Sequence, residues 1–388
     1  MVTLTSAQDA LKTVYLGVVS DQLNISANPL LSKINQTTRD VWGKEVRKLA
    51  PYGINGGIGA GTEEGSLPNP ASNNYVQFVT TLKNLYGTIE ISDKAIRASQ
   101  HNAGAFVNLL NDEMEGLIKA SSFNLGRMLY GDGSGKLATV AQASTQDTLA
   151  EVDSVRNLIE GMVVDFYNDQ AVIEGLKGVR IVAIDRQNSQ IKLNTTVTIP
   201  QGAVMYVQGS KDQEITGLGA IFKTSGTLYG VDKSQYTWMN PYVKAETSIG
   251  DETLQVAVDT LEETTGSMVD FIVCSSKVKR LYQKYLQSYR RNIDIMELNG
   301  GFRAISFNGI PLISDRFVED DTMYLLNTKE FNLHQLCDWK WLEGEDGKII
   351  KQNAGFPTYS ATLVKYADLV CNKPNGQAKI SGITSASV

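Results

Sequence analysis

The sequence has little of the residue types that most often carry chemistry. Only 2 of its 388 residues are histidine and 3 are cysteine. Because Cys274, Cys337 and Cys371 are odd in number and far apart, we expect a reducing compartment and no disulfide framework. No stretch approaches the ~20 apolar residues of a transmembrane helix, and the start of the chain lacks the basic region of a signal peptide. We therefore expect a cytosolic protein without a membrane span.

Charged residues are also few. They make up 20% of the chain, with 36 basic and 42 acidic side chains and a formal charge of -6. This mild acidity argues against tight, nonspecific binding to DNA or to an anionic membrane. The hydrophobic fraction of 42% is that of a globular chain, and the length corresponds to two or three domains. Helix-like and strand-like segments alternate without a regular βαβ rhythm, which predicts an α+β fold.

The clearest helix pattern covers residues 104–130, where apolar residues recur every three or four positions. A glycine-rich segment follows and is expected to end this helix. Similar patterns predict shorter helices over 6–23, on an N-terminal arm, and over 153–162, and helical character returns over 277–288. Between residues 172 and 225, short β-prone runs separated by turns predict a β-rich insertion.

A glycine-rich tip between two extended segments is the most unusual feature. Residues 39–50 carry charges on both faces of a candidate strand, and residues 75–91 are strongly β-prone. The glycines between them are Gly53, Gly56, Gly57, Gly59, Gly61 and Gly65. At ~3.3 Å per residue, the second segment would reach on the order of 50 Å. Such a ribbon has little to bury on its own body, so we expect it to lie on a neighbouring subunit.

No segment carries a complete catalytic or ligand-binding motif. In GDGSGK at 131–136, only three residues separate the outer glycines and no Ser or Thr follows the lysine, so a loop that ends the helix is favoured over a phosphate-binding loop. His101 has no GxSxG motif to act with. His334 and Cys337 are spaced to share a metal, but two ligands without a second pair favour ordinary packing. We therefore predict no catalytic, cofactor-binding or metal-binding residue and no cofactor.

Basic residues alternate with tyrosines near the predicted helix at 277–288. The candidate contact residues are Lys277, Arg280, Lys284, Arg290 and Arg291. One interpretation is a contact with another subunit or with nucleic acid, since arginine and aromatic residues serve both. The other, which the overall acidity favours, is a solvated cationic face with Tyr282, Tyr285 and Tyr289 turned toward the core. Trp339 and Trp341 share one face of a strand and are predicted to be packing anchors.

Several short sequence phrases occur in a distinctive order along the chain. They are YGTIEIS at 86–92, LYGDG at 129–133, FNGIPLI at 307–313, YLLN at 324–327 and YADLVC at 366–371. The first leads through a short helix into the long helix, which the second ends. In this order and spacing, which cover nearly the whole chain, the sequence resembles the major capsid proteins of tailed double-stranded-DNA bacteriophages, the Hong Kong 97 fold.

The resemblance implies a division of the chain into two arms and two interleaved domains. The implied segments are an N-terminal arm (1–45), an extended β-hairpin loop (46–86), a peripheral domain with a spine helix (87–150 and 322–365) and an axial domain that includes the insertion (151–321 and 366–388). The hairpin loop would overlie an adjacent subunit. Gly53 to Gly65 and Gly87 would act as hinges when subunits reorient during maturation.

The resemblance also implies a function. The chain would self-assemble through homo-pentamers and homo-hexamers into the icosahedral head shell of a virion, enclosing double-stranded DNA without sequence-specific binding. Because only about 40 residues precede the hairpin, we expect a separate scaffolding protein as a partner, together with a portal. The need for a decoration protein stays open. Some relatives crosslink through Lys and Asn, and neither residue can be matched here.

Three alternative functions stay open at this point. An encapsulin-like cellular compartment would share the fold and enclose protein cargo. A cytosolic hydrolase would use the carboxylates at Glu319, Asp320 and Asp321, although a solvated turn is enough to explain them and an acid–base pair would need a specific geometry. A DNA-binding module would act through residues 277–291 and would show a steep salt dependence.

Overall fold

The computed structural model describes residues 28–94, 103–289, 295–298, 302–344 and 347–387. Helices and strands are interspersed along these residues, which confirms the expected α+β class. The helix predicted over 6–23, His101, Arg290 and Arg291 lie outside the described residues. Within the described ranges, no helix is long and apolar enough to cross a membrane.

A five-stranded sheet forms one layer of the fold. Its strands in spatial order are β1 (Asn35–Thr37), β22 (Phe331–Trp341), β24 (Thr358–Cys371) and β23 (Lys351–Gln352), with β5 (Lys83–Ser92) also paired to β24. On β5, Leu85, Ile89 and Ile91 are buried and alternate with exposed residues, so one face of the strand points to the core. Trp339 and Trp341 are buried on β22, which confirms them as packing residues.

The long helix α1 (Ala103–Tyr130) packs against β5 and confirms the strongest helix prediction. Met114, Ile118, Leu125 and Leu129 recur at the spacing of one helical face and are all buried. The 28 residues correspond to a rod of about 42 Å at ~1.5 Å per residue. The helix stops at the glycine-rich segment, as expected.

A closed β-barrel follows α1 directly. Its strands in spatial order are β6 (Lys136–Thr139), β12 (Val204–Val207), β8 (Val163–Asn168), β10 (Val179–Asp185), β11 (Gln190–Ile199) and β7 (Ser144–Glu151), with β9 (Ala171–Val172) beside β8. The two outer strands meet, because Val140 bridges Val152 and the Asp153 N–H donates to the Thr139 carbonyl oxygen at 2.9 Å. Closure removes unpaired strand edges, and the barrel has a hydrophobic core of its own.

The barrel corrects the predicted insertion at 172–225. The β-rich region begins at Lys136 and ends at Val207, so it starts well before the predicted position. The predicted boundary between peripheral and axial segments at 150/151 falls inside this one closed unit. Sequence patterns missed the early strands because β7 carries mostly polar residues and therefore lacks an apolar strand pattern.

The helix predicted over 153–162 is wrong, because these residues form turns. Gly161 has a left-handed backbone, with φ of 93°, and interrupts a helical path. The apolar residues Val155, Leu158 and Met162 fall at helical spacing because all three pack into the barrel core. The periodic apolar pattern at 153–162 therefore arises from a loop that packs its apolar side chains into the barrel core, and not from a helix.

A second large sheet has helices on one face. Its strands in spatial order are β15 (Tyr242–Ala245), β25 (Ala378–Ser381), β21 (Met323–Leu326), β17 (Phe271–Cys274), β20 (Ile310–Ser314), β19 (Phe302–Phe307) and β18 (Ile295–Leu298). Helices α3 (Asp251–Thr265) and α4 (Ser276–Tyr289) share one hydrophobic cluster with this sheet. The shorter elements are α2 (Leu218–Ile221), β13 (Thr227–Leu228), β14 (Val231–Asp232), β16 (Ser248–Ile249) and β26 (Ser385–Ala386).

The predicted hairpin is present but shorter than expected. Strands β3 (Glu45–Tyr52) and β4 (Asn74–Thr81) pair in antiparallel fashion, with β2 (Val41–Trp42) beside β3. The β-prone stretch at 75–91 is two strands, because β4 ends at Thr81 and β5 belongs to the five-stranded sheet. Each hairpin strand has 8 residues, or about 26 Å at ~3.3 Å per residue. This is about half of the predicted reach.

Candidate assembly surfaces

The two strands of the hairpin are fixed to the body of their own subunit. Tyr52 stacks on Trp238 with ring centroids 5.3 Å apart, and Phe78 packs on Tyr229 at 5.5 Å. The Val79 N–H also donates to the Tyr229 carbonyl oxygen at 2.9 Å. The expectation that the hairpin buries little on its own body is therefore wrong for its two strands.

A buried carboxylate adds polar contacts at the same place. Asp368, on β24, accepts hydrogen bonds from the Thr80 hydroxyl at 2.6 Å and from the Thr216 N–H at 2.7 Å. Burial raises the pKa of Asp368 above its usual range. Through this side chain the hairpin, the segment after the barrel and the five-stranded sheet are held together. A buried, fully bonded carboxylate of this kind is costly to disturb.

The hairpin tip, residues 53–73, extends beyond these anchored strands and is largely exposed. It contains the predicted tip residues Gly53, Gly56, Gly57, Gly59, Gly61 and Gly65. Of these, Gly53 alone has a left-handed backbone, with φ of 67°. Three large apolar side chains of the tip are almost free of contacts: Ile54 is 75% exposed, Ile58 73% and Leu67 88%. Exposed apolar side chains that occur together in one segment are candidates for an interaction surface.

Gly87 occupies a close contact where a hinge was predicted. It lies within β5, paired opposite Leu363 of β24. A Cβ at this position would stand 2.7 Å from Leu117 Cδ1 and 3.2 Å from the Ser121 hydroxyl oxygen of α1. Glycine is therefore required because the helix approaches the strand closely. A residue held on both sides in this way packs the helix onto the sheet and is a poor hinge.

The glycine-rich segment after α1 forms a structural junction. Gly135 has φ of 82°, and a Cβ there would come within 2.8 Å of the Ser210 carbonyl oxygen. Asp132 forms an ion pair with Lys223 at 2.8 Å, and this partner lowers the pKa of Asp132 to about 2 against the opposing effect of its burial. The segment ends α1, as the sequence predicts. It also connects α1 to the barrel and to the region after α2.

The remaining candidates for chemistry lie in structural settings. Glu319 and Asp320 are exposed at a turn, and Glu319 pairs with Lys379 at 3.3 Å. His334 is buried with its Nδ1 2.9 Å from the Arg39 carbonyl oxygen, and burial lowers its pKa. Among the described residues, no group of three or more His, Cys, Asp or Glu side chains is placed to hold a metal ion.

Helix α4 presents a cationic face. Lys277, Arg280 and Lys284 are exposed, whereas Tyr282 is fully buried and donates its hydroxyl to Asp251 at 2.7 Å. In this chain the three cationic side chains are therefore on the outside of the helix and Tyr282 is turned toward the core. Whether the face contacts another molecule stays a prediction.

Helix α3 and its acidic residues were not predicted. The pattern that identifies it is nevertheless present, because Leu254, Ala257, Val258 and Leu261 recur at helical spacing and are buried. Gly266 follows with φ of 64°, the usual left-handed end of a helix. Polar residues outnumber apolar ones in this segment, which hides the apolar stripe in a simple count.

Comparison with known proteins identifies relatives by fold alone. No protein-family model matches the chain, and no curated protein sequence matches it. The capsid subunit of cyanophage A-1(L) superposes with a TM-score of 0.54 at 12% identity, over 94% of this chain and 92% of that chain. The SrpI encapsulin of Synechococcus elongatus gives a TM-score of 0.48 at 10% identity, over 94% and 91%. The capsid of Myoviridae phage XM1 gives 0.46 at 9% identity, over 92% of both chains.

The likeness to the cyanophage capsid subunit covers nearly the full length of both chains. The chain therefore has the Hong Kong 97-type fold of phage capsid proteins. The candidate assembly surfaces on this fold are the β-barrel, the hairpin and the exposed faces of α3 and α4.

Proposed function

We propose that this chain is the major capsid protein of a tailed double-stranded-DNA bacteriophage. It would self-assemble through pentamers and hexamers into the icosahedral head shell of the virion. The observation that carries the proposal is an exposed apolar hairpin tip on a Hong Kong 97-type fold. The proposed role is structural, with no catalytic step.

The hairpin tip supports assembly on physical grounds. Ile54, Ile58 and Leu67 are all largely exposed within this one tip, and exposed apolar surface is a candidate for interaction with a partner. Burying a large aliphatic side chain of this kind contributes ~1.5–3 kcal/mol. Because Tyr52 and Phe78 anchor the two strands of the hairpin, docking the tip on a neighbour costs less conformational entropy than docking a wholly free arm. The natural recipient is the body of an adjacent copy.

The domain assignment also belongs to this proposal. The five-stranded sheet and α1 would form the peripheral domain, and the seven-stranded sheet with α3 and α4 the axial domain. The barrel would be an addition between them, at Lys136 to Val207. The predicted boundary at 365/366 is moved, since it falls inside the continuous strand β24.

The proposed partners are further copies of the chain, a separate scaffolding protein and a portal. The shell would enclose DNA without reading its sequence, which fits the formal charge of -6. Assembly would take place in the cytoplasm of the bacterial host. A decoration protein would bind the outer surface if one is needed.

Negative-stain electron microscopy of the purified full-length chain tests the proposal, with and without a crowding agent. We expect rings or closed icosahedral shells. A chain that stays monomeric or dimeric at high concentration under both conditions contradicts the proposal and favours an enzyme. Shells isolated from the native source that contain protein cargo and no nuclease-protected DNA would instead indicate a cellular compartment.

A further inference from the structure

Helices α3 and α4 expose opposite charges on the same side of the seven-stranded sheet. The exposed acidic residues of α3 are Glu252, Asp259, Glu262 and Glu263, here called the acidic face. The exposed basic residues of α4 are Lys277, Arg280 and Lys284, here called the basic face. Helix α3 contains no basic residue, and helix α4 contains no acidic residue. Each face therefore has a single sign of charge.

Across the ranges that the structure describes, none of the seven side chains forms an ion pair. Asp259 accepts a hydrogen bond from the neutral side chain of Gln255 at 2.6 Å. The buried sides of the same helices are fully used, because Leu261 and Tyr282 both pack into the sheet. The two charged faces are thus the surfaces that the helices leave open.

The two helices are neighbours on this sheet. The Tyr282 hydroxyl of α4 donates to Asp251 of α3 at 2.7 Å, and both helices contact β16. The acidic and basic faces therefore belong to two different helices of the same subunit. A contact between unlike faces of two copies is heterologous, and such contacts close into rings when the rotation between copies allows it.

We propose that the basic face of α4 in one copy binds the acidic face of α3 in the next copy around a ring. This inference rests on the proposed assembly function and names the residues that would set the ring contact. Charge complementarity would align neighbouring copies and exclude contacts of the wrong register. A nucleic-acid phosphate backbone would account for the basic face alone, and the acidic face on the same side of the sheet would repel it.

Charge reversal tests the contact. The basic-face variant carries Lys277→Glu, Arg280→Glu and Lys284→Glu, and the acidic-face variant carries Asp259→Lys, Glu262→Lys and Glu263→Lys. We expect each to lower the yield of shells by about tenfold or more, because like charges then oppose each other. A chain with all six changes restores opposite charges and should recover the wild-type yield. Lys177→Glu, Arg180→Glu and Lys192→Glu on the barrel form the matched control, with wild-type yield expected.

Mixing the two triple variants gives a sharper result. One variant has two acidic faces and the other two basic faces, so they can only alternate around a ring. Alternation closes in six-membered rings and fails in five-membered rings. We therefore expect the mixture to form hexamers and open tubes but no closed shells, because closed icosahedral shells require pentamers.

The outcomes separate this inference from the proposed function. If the wild-type chain forms no rings, both are overturned. If the wild-type chain and both triple variants form shells equally well, the contact between α3 and α4 is overturned and the proposed function stands. Shells of normal yield that lose enclosed DNA only in the basic-face variant would indicate a nucleic-acid contact instead. Circular dichroism and thermal melting verify folding. If a triple variant fails to fold, the single variant Arg280→Glu replaces the basic-face variant and the single variant Glu262→Lys replaces the acidic-face variant.

Discussion

Arg127, in the last turn of α1, holds Glu214 in a buried two-pronged ion pair. The Arg127 Nη1 donates to Glu214 Oε2 at 2.8 Å and Nη2 donates to Oε1 at 2.5 Å. The side chains are only 3% and 2% exposed. Glu214 belongs to the segment that leaves the barrel, so this pair fixes the barrel to the end of the long helix.

Removing one partner of this pair should be strongly destabilising. Arg127→Met leaves the carboxylate of Glu214 buried without its cation, and such changes cost ~3–5 kcal/mol of unfolding free energy. The double variant Arg127→Met with Glu214→Leu removes both charges and should recover most of that loss. Urea denaturation of the three proteins measures it. A single variant that is as stable as the wild type would show that the pair is solvated.

The close contact at Gly87 predicts a second stability effect. In Gly87→Ala the new Cβ would lie 2.7 Å from Leu117 Cδ1, and overpacking of this kind costs ~1–3 kcal/mol. Combining it with Leu117→Ala relieves the clash but creates a cavity, so the double variant tests the contact directly by its non-additivity.

Gly116, one residue from Leu117 on α1, provides the matched control. A Cβ at this position meets nothing within 4 Å. Because alanine favours helices over glycine by ~0.5–1 kcal/mol, Gly116→Ala should raise the melting temperature. If Gly87→Ala raises it as well, the strand and helix are not in close contact.

The parts of the fold that depend on local pattern were predictable from the sequence. Helix α1 has an uninterrupted apolar stripe and ends at glycines, so its bounds were predicted to within one residue. The hairpin likewise followed from a glycine-rich tip between two β-prone segments. Both features are encoded by neighbouring residues and need no tertiary information.

The predictions that proved wrong, and the contacts that were not predicted, all depend on tertiary contacts between distant segments. Val155, Leu158 and Met162 look helical because the barrel core collects them from turns. Gly87 looked like a hinge, but its meaning depends on Leu117, a residue on another element. The ion pair of Arg127 with Glu214 joins residues that are far apart in the chain. Spacing within one segment carries no information about such partners.

Lys233 predicts a pH dependence of stability. Its ammonium group is buried and donates to the carbonyl oxygens of Ile221, at 2.7 Å, and Lys223. Burial lowers its pKa from 10.5 to about 8. Between pH 8 and 10.5 the unfolded chain therefore binds more protons than the folded chain, and this lysine makes stability rise with pH.

Lys233→Met removes that contribution. The difference in unfolding free energy between the wild type and Lys233→Met should shift in favour of the wild type as pH rises from 7.5 to 10. Tyrosine and cysteine titrations are shared by both proteins and cancel in the difference. Urea midpoints at three pH values measure it, and a difference that does not change with pH would show that Lys233 titrates normally.

The exposed hairpin tip predicts a change in assembly without a change in folding. Ile54→Ser, Ile58→Ser and Leu67→Ser replace side chains that contact little in the subunit, so the melting temperature should stay within about 2 °C of the wild type, as for surface substitutions. Each change removes ~1.5–3 kcal/mol of apolar burial if the tip docks on a neighbour. The triple variant should therefore form capsomers but few closed shells, as judged by electron microscopy and light scattering. Shells formed at the wild-type rate and yield would show that the tip stays in solvent after assembly.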